Sequence, residues 1–327
     1  MKFLRPAAAL AVSLSAFLAA APAFGQAEPE IVAAPDVLTE PVEIATPAMW
    51  RVADEDSEAI LIGTFHILPP SLEWRNDAVS AAFDNAEVVW FEVDANAPDA
   101  QSKTLNTVMT QGFNPQGVTL SNMLNQSDAQ QLREIAGELQ LPFAAIDTMR
   151  PWNAFLTLSV QFIINQGFQP GAGVDSVLLA DAKAAGKDVR FFETIEEQLA
   201  FFTGLSPEVE KELLLITIRD WDKQAAAFDD LFTAWATGDV DVIDVNMNED
   251  MREQAPEVYD RLIVERNAAW AEALDAALKQ ESGAVFVAVG AAHLVGGEFS
   301  VPALMKAKDY EVSRYGVEPA NDNEPVE

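Results

Sequence analysis

The sequence predicts an α/β fold, with a mixed central sheet flanked by helices and a helical insertion before the last core strand. Short apolar segments with strand character alternate with longer segments of helical period between residues 47 and 316. Residues 206–280 are helical by period and composition, and the apolar segment 284–289 follows them. Because 50% of the residues are hydrophobic, the chain can bury a large core. We therefore expect a single globular domain over residues 47–316.

The first half of this domain begins with a hairpin. Strands are predicted over 49–52 and 59–62, with an acidic turn at 54–57 between them. A helix is expected over 72–85, after Pro69 and Pro70, and a buried strand over 88–91. Ser127 and Gln130 have the spacing of a capping box, and Pro151 occupies the first turn of a further helix.

The second half alternates between the two types of element. A helix is predicted over 174–185, ending at Gly186, and a strand over 188–192. Another helix starts near Ile195 and opens the helical insertion. The last core strand is expected over 284–289.

The ends of the chain have a different composition. Lys2 and Arg5 precede an apolar run over 7–21, and the small residues that follow provide a cleavage site, so residues 1–25 are interpreted as a signal peptide. A membrane anchor is the alternative, but the run is shorter than the ~20 residues of a spanning helix. We expect a periplasmic or secreted protein with no membrane span in the mature chain. The acidic, proline-containing segments 26–46 and 317–327 are predicted to be a disordered linker and tail.

Charge and cysteine content exclude several classes of function. The formal net charge is −32, so the surface should repel nucleic acid and anionic lipid. The excess of acid is interpreted as a solvated surface, with preference for a cationic substrate as the alternative. The chain has no cysteine, which excludes disulfides and a cysteine nucleophile.

The chain contains only two histidines, and they occupy matching positions. His66 and His293 each lie three residues after a glycine that directly follows an apolar strand. Glu92 and Glu193 each end an apolar, aromatic strand. Strand ends are where α/β proteins place reactive groups, because the loop is accessible while the sheet holds it in place. We therefore expect both imidazoles to face one cleft, with Glu92 close to them.

Two histidines and a carboxylate are a competent donor set for a hydrolytic metal site. Such a site lowers the pKa of a bound water to about 7, and a second carboxylate can accept its proton. The alternative for Glu92 and Glu193 is that each caps the following helix. Known motifs for zinc peptidases, serine hydrolases, P-loops and dinucleotide sites are absent from the sequence. The methionines are interpreted as core residues, with Met251 and Met305 as haem ligands in the alternative.

Several segments in order resemble the TraB/GumN family, whose superfamily includes Tiki-type metalloproteases, ChaN-type haem-binding proteins and erythromycin esterases. The resemblance covers residues 48–316. It is carried by Met49-Trp50-Arg51-Val52, Leu61-Ile62-Gly63-Thr64-Phe65-His66-Ile67-Leu68-Pro69, Phe91-Glu92, Arg150-Pro151-Trp152, Gly173-Val174-Asp175, Phe192-Glu193-Thr194 with Glu197-Gln198, Glu265-Arg266-Asn267 and Val289-Gly290-Ala291-Ala292-His293-Leu294-Val295-Gly296.

The resemblance implies a metal-dependent hydrolytic site. His66, Glu92 and His293 would be the ligands of a divalent ion (Zn, Mn or Co). The other polar residues implied in or behind the cleft are Arg150, Asp175, Glu193, Arg266 and Asn267. The residues predicted to take part in catalysis are Glu92, Glu193, Arg150 and Asn267.

Three functions follow from these observations. The first is an exported metal-dependent hydrolase, peptidase-like, acting on a peptide or another small molecule. The second is a non-catalytic protein that binds haem or another small ligand, since neutral imidazoles can ligate iron. The third is an accessory factor in polysaccharide export, which rests on the family name. Glu92 favours the first, because water activation needs a carboxylate beside the imidazoles.

Overall fold

Six strands form one mixed sheet in a computed structural model that describes residues 44–280 and 283–317. The strands are β1 (Met49–Ala53), β2 (Glu58–Thr64), β3 (Val88–Phe91), β4 (Asp188–Phe191), β5 (Ala284–Gly290) and β6 (Glu311–Arg314). Their order across the sheet is β4-β3-β5-β2-β1-β6. The four strands from β4 to β2 are parallel, whereas β1 is antiparallel to both β2 and β6.

Helices flank this sheet and confirm the predicted fold class. They are α1 (Asp77–Asn85), α2 (Ala100–Gln111), α3 (Leu120–Met123), α4 (Gln126–Glu138), α5 (Phe143–Ile146), α6 (Pro151–Asn165), α7 (Val174–Ala185), α8 (Ile195–Thr203), α9 (Pro207–Arg219), α10 (Gln224–Thr237), α11 (Val240–Asp244), α12 (Asp250–Gln254), α13 (Pro256–Tyr259), α14 (Glu265–Leu278) and α15 (Val301–Lys306). Helices α8 to α14 form the predicted insertion before β5. Two π-helical turns interrupt it, at Val245–Glu249 and Asp260–Val264.

The two central strands, β5 and β2, are buried along nearly their whole length, because both faces of the sheet are covered there. In β5 every residue after Ala284 is buried, and in β2 every residue after Glu58 is buried. Aromatic side chains dominate the contacts around them. Phe83 of α1 packs edge-on against Phe286 of β5, and Phe65 contacts three aromatic rings of α10, Phe228, Phe232 and Trp235.

Several predicted boundaries were wrong. The helix expected from residue 72 begins at Asp77, with Asn76 as its N-cap, because the backbone at Glu73 pairs instead with residues 44–45. The N-cap of α4 is Asn125, which accepts from the Asp128 N–H, so Ser127 lies inside the helix. Strand β6 was not predicted.

The expected segments at the chain ends fall mostly outside the described residues. The signal peptide over 1–25, the linker up to residue 43 and the tail from residue 318 lie there. Ala45 and Thr46, at the end of the expected linker, donate backbone hydrogen bonds to Glu73 and Ala236, and Ala45 is fully buried. Within the described ranges, no helix is long and apolar enough to cross a membrane.

Candidate functional site

The two histidines meet because their strands are neighbours in the sheet. β2 and β5 pair in parallel, with Gly63 opposite Val289 and Thr64 opposite Gly290, so both Gly-x-x-His segments leave the sheet at the same edge. His66 follows the end of β2, and His293 lies in a 3-10 turn, Ala291–Leu294, directly after β5. Their Nε2 atoms lie 3.8 and 3.9 Å from the same oxygen, Oε1 of Glu92.

Glu92 reaches this position because β3 pairs with the other side of β5. Its carboxylate is buried and accepts three hydrogen bonds. The Gly290 N–H donates to Oε1 at 2.7 Å, while Gln198 and Arg266 donate to Oε2 at 3.1 and 2.7 Å. These donors orient the carboxylate and leave Oε1 facing the two imidazoles.

Asp175 holds the ring of His66. The Nδ1 atom of His66 lies 2.5 Å from Asp175 Oδ2, and the Thr64 hydroxyl donates to Asp175 Oδ1 at 2.8 Å. Burial alone lowers the pKa of His66, but the adjacent Asp175 carboxylate, with a smaller effect of Glu92, outweighs burial and raises the pKa above its usual value. With Nδ1–H donated to Asp175, Nε2 is the atom directed at Glu92.

His293 is held by an amide instead of a carboxylate. Asn267 donates through Nδ2 to the carbonyls of His293 and Phe299, so its Oδ1 is the atom 2.6 Å from His293 Nδ1 and accepts the Nδ1 proton. Nε2 is then the basic nitrogen, and Arg266 donates to it from Nη1 at 3.1 Å. Burial and the neighbouring Arg266 charge lower the pKa of His293 well below its usual value.

Arg266 is a buried cation that joins the carboxylates of the site. It forms two parallel hydrogen bonds with Glu193, at 2.8 and 3.0 Å, and one with Glu92. The guanidinium lies 4.6 Å from the ring centre of Trp270, whose Nε1 donates to Glu193 at 2.9 Å. Burial raises the pKa of Glu193, although the Arg266 charge opposes that effect.

The structure brings together seven of the eight residues that the sequence analysis assigned to the site: His66, Glu92, Asp175, Glu193, Arg266, Asn267 and His293. Arg150 is the exception. It pairs with Glu210 and donates to the carbonyls of Gln111 and Thr203, at the start of α6. These contacts hold helices together and do not include any of the seven.

The helix-capping alternative for Glu193 is not what the structure shows. Thr194 and Glu197 form the capping box of α8, and Glu193 is directed at Arg266. Gln198 belongs to one of the segments that resemble the family, but its contact with Glu92 was not predicted. Trp270 and the Gly290 N–H were also missed. One sequence signal could have identified Gln198: it lies on the apolar face of α8, and a polar side chain on a buried face needs a hydrogen-bond partner.

The site offers space and donor atoms for a divalent cation. Gly290 lacks a side chain at the point where the groups converge: a Cβ there would lie 3.2 Å from Glu92 Oε1 and 3.5 Å from His66 Nε2. Each histidine has its Nδ1 tied to an oxygen, an arrangement typical of metal-bound imidazoles. In residues 44–280 and 283–317, however, no three His, Asp or Glu side chains already stand close enough to share one ion. Ligands of one zinc ion lie ~3.3 Å apart, so the separations of 3.8 and 3.9 Å would have to shorten.

The charge of the cluster also suits a cation. The cluster contains three carboxylates, those of Glu92, Asp175 and Glu193, and one guanidinium, that of Arg266. With neutral imidazoles the cluster therefore lacks two positive charges, and buried charge that is not compensated is costly. A proton on His66 supplies one of them, and a divalent ion supplies both.

Comparison with known proteins identifies the family. A model described as the TraB/PrgY/gumN family matches residues 48–314, which is most of the chain and includes every residue of this site. The resemblance found in the sequence is therefore confirmed. No curated protein and no solved structure matches the chain.

Proposed function

Because the chain belongs to the TraB/PrgY/gumN family, we propose that it is a metal-dependent hydrolase, peptidase-like, whose site is formed by His66, His293 and Glu92. The observation that carries this proposal is that both Nε2 atoms face one oxygen of Glu92, beside the space left by Gly290. We also propose that the protein is exported, on the pattern of residues 1–25.

The residues of the site would hold a divalent ion through His66 Nε2, His293 Nε2 and Glu92. When bound, such an ion supplies a hydroxide nucleophile at neutral pH by lowering the pKa of its water. His293 Nε2 accepts a hydrogen bond from Arg266 in the structure, so ion binding would require this contact to be released.

The chain's own groups provide the remaining chemistry. Glu193, the second carboxylate of the cluster, accepts the proton of an attacking water, while the hydrogen bonds to Glu92 fix the orientation of the carboxylate that would hold the ion. The buried Arg266 guanidinium stabilises negative charge that develops on a carbonyl oxygen next to it, in surroundings from which water is excluded. Asp175 and Asn267 keep the two rings in place.

Substrate must reach a site that is closed in this structure. The side chains of His66, His293, Glu92 and Arg266 are at most 2% exposed, whereas those of Asp175 and Glu193 are 14% and 9% exposed. Asp175 and Glu193 are therefore the residues of the cluster that are closest to solvent. Haem binding gains no support from the methionines, because Met251 and Met305 are buried in the hydrophobic core.

The test combines elemental analysis of protein purified without a histidine tag with a peptide-library cleavage assay. Cleavage should stop on chelation and return with Zn²⁺, Mn²⁺ or Co²⁺. His66→Ala and His293→Ala should each lower the rate at least about 100-fold. Gly290→Ala should also abolish cleavage, because its methyl group fills the space beside Glu92 Oε1.

Gly137→Ala in α4 is the matched control, since a Cβ there meets no atom within 4 Å. Full activity of either histidine variant contradicts the proposal. The haem-binding alternative would be established by two results together. Titration with haem would give a visible absorption band that both histidine variants lack, and the wild-type protein would cleave no peptide.

A further inference from the structure

The turn that carries His293 is held by two asparagine side chains from the helical insertion. Asn267 of α14 contacts the His293 carbonyl and ring from one side. From the other side, Asn248 donates through Nδ2 to the carbonyls of Ala292 and Val295, at 3.0 and 3.2 Å. The two contacts of Asn248 flank His293 in sequence, so they fix the backbone on both sides of it.

The π-helical turn Val245–Glu249 places Asn248 at this position. A π turn contains one residue more than an α turn, and such turns often occur at functional sites. Three consecutive side chains, those of residues 246 to 248, are buried here, whereas Val245 is exposed. Asn248 itself is fully buried, directly beneath the His293 turn.

The backbone that follows His293 packs against the Asn248 side chain at Gly296, more closely than any residue with a Cβ could. Gly296 has φ +97°, and a Cβ on it would lie 2.6 Å from Asn248 Nδ2 and 2.7 Å from Asp244 Oδ1. Glycine adopts this backbone conformation readily, and no other residue would fit against the amide. The backbone after His293 is thus in direct contact with the Asn248 side chain.

The hydrogen bonds of Asn248 connect the helical insertion to the turn that carries His293. Its Oδ1 is buried and has no hydrogen-bond partner among the described residues. Its Nδ2 supplies the two bonds to the carbonyls at 292 and 295, and the amide also interacts with the carboxyl group of Asp244. The part of the amide that is used is therefore the part that holds the backbone on both sides of His293.

We propose that Asn248 is a positioning residue for His293. It sets the backbone of the turn so that Nε2 faces Glu92 and Arg266, while Asn267 sets the rotation of the ring. The catalytic importance of this role rests on the proposed hydrolase function. The claim that Asn248 sets the position of the His293 ring does not depend on that function.

The experiment compares Asn248→Leu with Asn153→Leu by ¹⁵N NMR of ring-labelled histidine. Asn153 is a matched control, because it is also buried and also donates from Nδ2 to a backbone carbonyl, that of Gly112. The chain has two histidines, so each ring gives its own signals. Asn248→Leu should shift the His293 signals and weaken its Nδ1–H tautomer, leaving those of His66 in place, and Asn153→Leu should change neither.

Divalent metal affinity, measured by calorimetry, should fall about 10- to 100-fold in Asn248→Leu and stay unchanged in Asn153→Leu. Unchanged His293 signals in folded Asn248→Leu overturn the proposal. If Asn248→Leu does not fold, the smaller Asn248→Ala gives the same reading, because it also removes the donor and introduces neither a charge nor added volume. A wild-type protein that cleaves no peptide would contradict the hydrolase function, whereas the NMR comparison would still decide the role of Asn248.

Discussion

His66 and His293 are equally buried, but their neighbours affect their pKa values in opposite directions. The Asp175 carboxylate favours the charged form of His66, whereas burial and the Arg266 guanidinium favour the neutral form of His293, which has no carboxylate at its Nδ1. In the metal-free protein, His66 is therefore suited to hold a proton and His293 to offer a lone pair. Binding of an ion by both Nε2 atoms would require that proton to leave His66.

We predict that the two imidazoles titrate on opposite sides of the usual histidine pKa of about 6.5. In the metal-free protein, His66 should keep its proton above this pH and His293 should stay neutral below it. The proton on His66 stabilises the fold below pH 6.5, and this contribution is lost as the pH rises through the folded pKa. The neutral state of His293 stabilises the fold above pH 6.5, and this contribution is lost as the pH falls toward its folded pKa.

Proton NMR of the ring Cε1–H signals measures both values directly. The variant His66→Gln assigns the signals, because a single histidine remains. A His293 pKa equal to or above that of His66 would show that the described arrangement of Asp175, Asn267 and Arg266 does not hold in solution.

At this scale the sequence identified the reacting groups better than their partners. Two histidines in matching contexts are conspicuous in a chain of this length, so His66 and His293 could be found directly. Asn267 and Arg266 came only from the resemblance, because their contacts depend on how α14 lies against the end of β5. Arg150 was expected in the cleft, but it pairs with Glu210, an acid on a different helix that no local pattern connects to it.

Among the elements, the start of α7 is fixed by the close approach of Gly173 to the His66 segment. A Cβ on Gly173 would lie 2.0 Å from the His66 carbonyl oxygen and 2.4 Å from its carbon, and both are backbone atoms that cannot move aside. The Val174 N–H also donates to the Phe65 carbonyl at 3.1 Å. This contact brings Asp175, in the first turn of α7, to the ring of His66.

We predict that Gly173→Ala destabilises the protein by about 3 kcal/mol, because the added methyl group forces the two segments apart. It should also bring the pKa of His66 down, since Asp175 moves away from the ring. Urea unfolding measures the first effect and NMR the second. Gly171→Ala is the control two residues earlier, where a Cβ meets no atom within 4 Å. Equal stability of the two variants would refute the close contact.

Local sequence signals predicted the elements where they are strong. The helix 174–185 and the strand 88–91 were predicted with their observed bounds, because a glycine or a change of apolar period marks each end. Strand β6 was missed, since Glu311–Arg314 is short, half exposed and recognisable only by its pairing with β1. The π turn at Val245–Glu249 has no signal of its own in a segment that is helical on both sides.

For the molecule as a whole, the alternation of strands and helices was enough to predict the fold class but not the order of the strands. The expectation that both histidines share one cleft required their strands to be close, and the sequence alone could not show that β2 and β5 are direct neighbours. Parallel neighbours need a long connection, which here contains most of the helices. The connection itself carries Arg266, Asn267 and Asn248, so it also completes the site.

The export proposal makes a prediction about the complete chain. Produced in a bacterium, the protein should be recovered outside the cytoplasm, with a new N-terminus near Gln26 after loss of the basic and apolar segment. Cell fractionation followed by N-terminal sequencing tests this. A chain lacking residues 2–25 is the control and should stay in the cytoplasm. An intact N-terminus on protein recovered from the cytoplasm contradicts the proposal.

The central position of β5 in the sheet determines at which stage of protein synthesis the site can form. Strands β2, β3 and β4 are synthesised first, yet β5 lies between β3 and β2, and its Gly290 contacts a Glu92 that is 198 residues earlier in the sequence. Until the ribosome has made the C-terminal part, the nascent chain has one histidine, no partner for the open edges of β2 and β3, and no donor from Gly290. The site can therefore assemble only after β5 and the turn that carries His293 have been made, and products that terminate before them lack it.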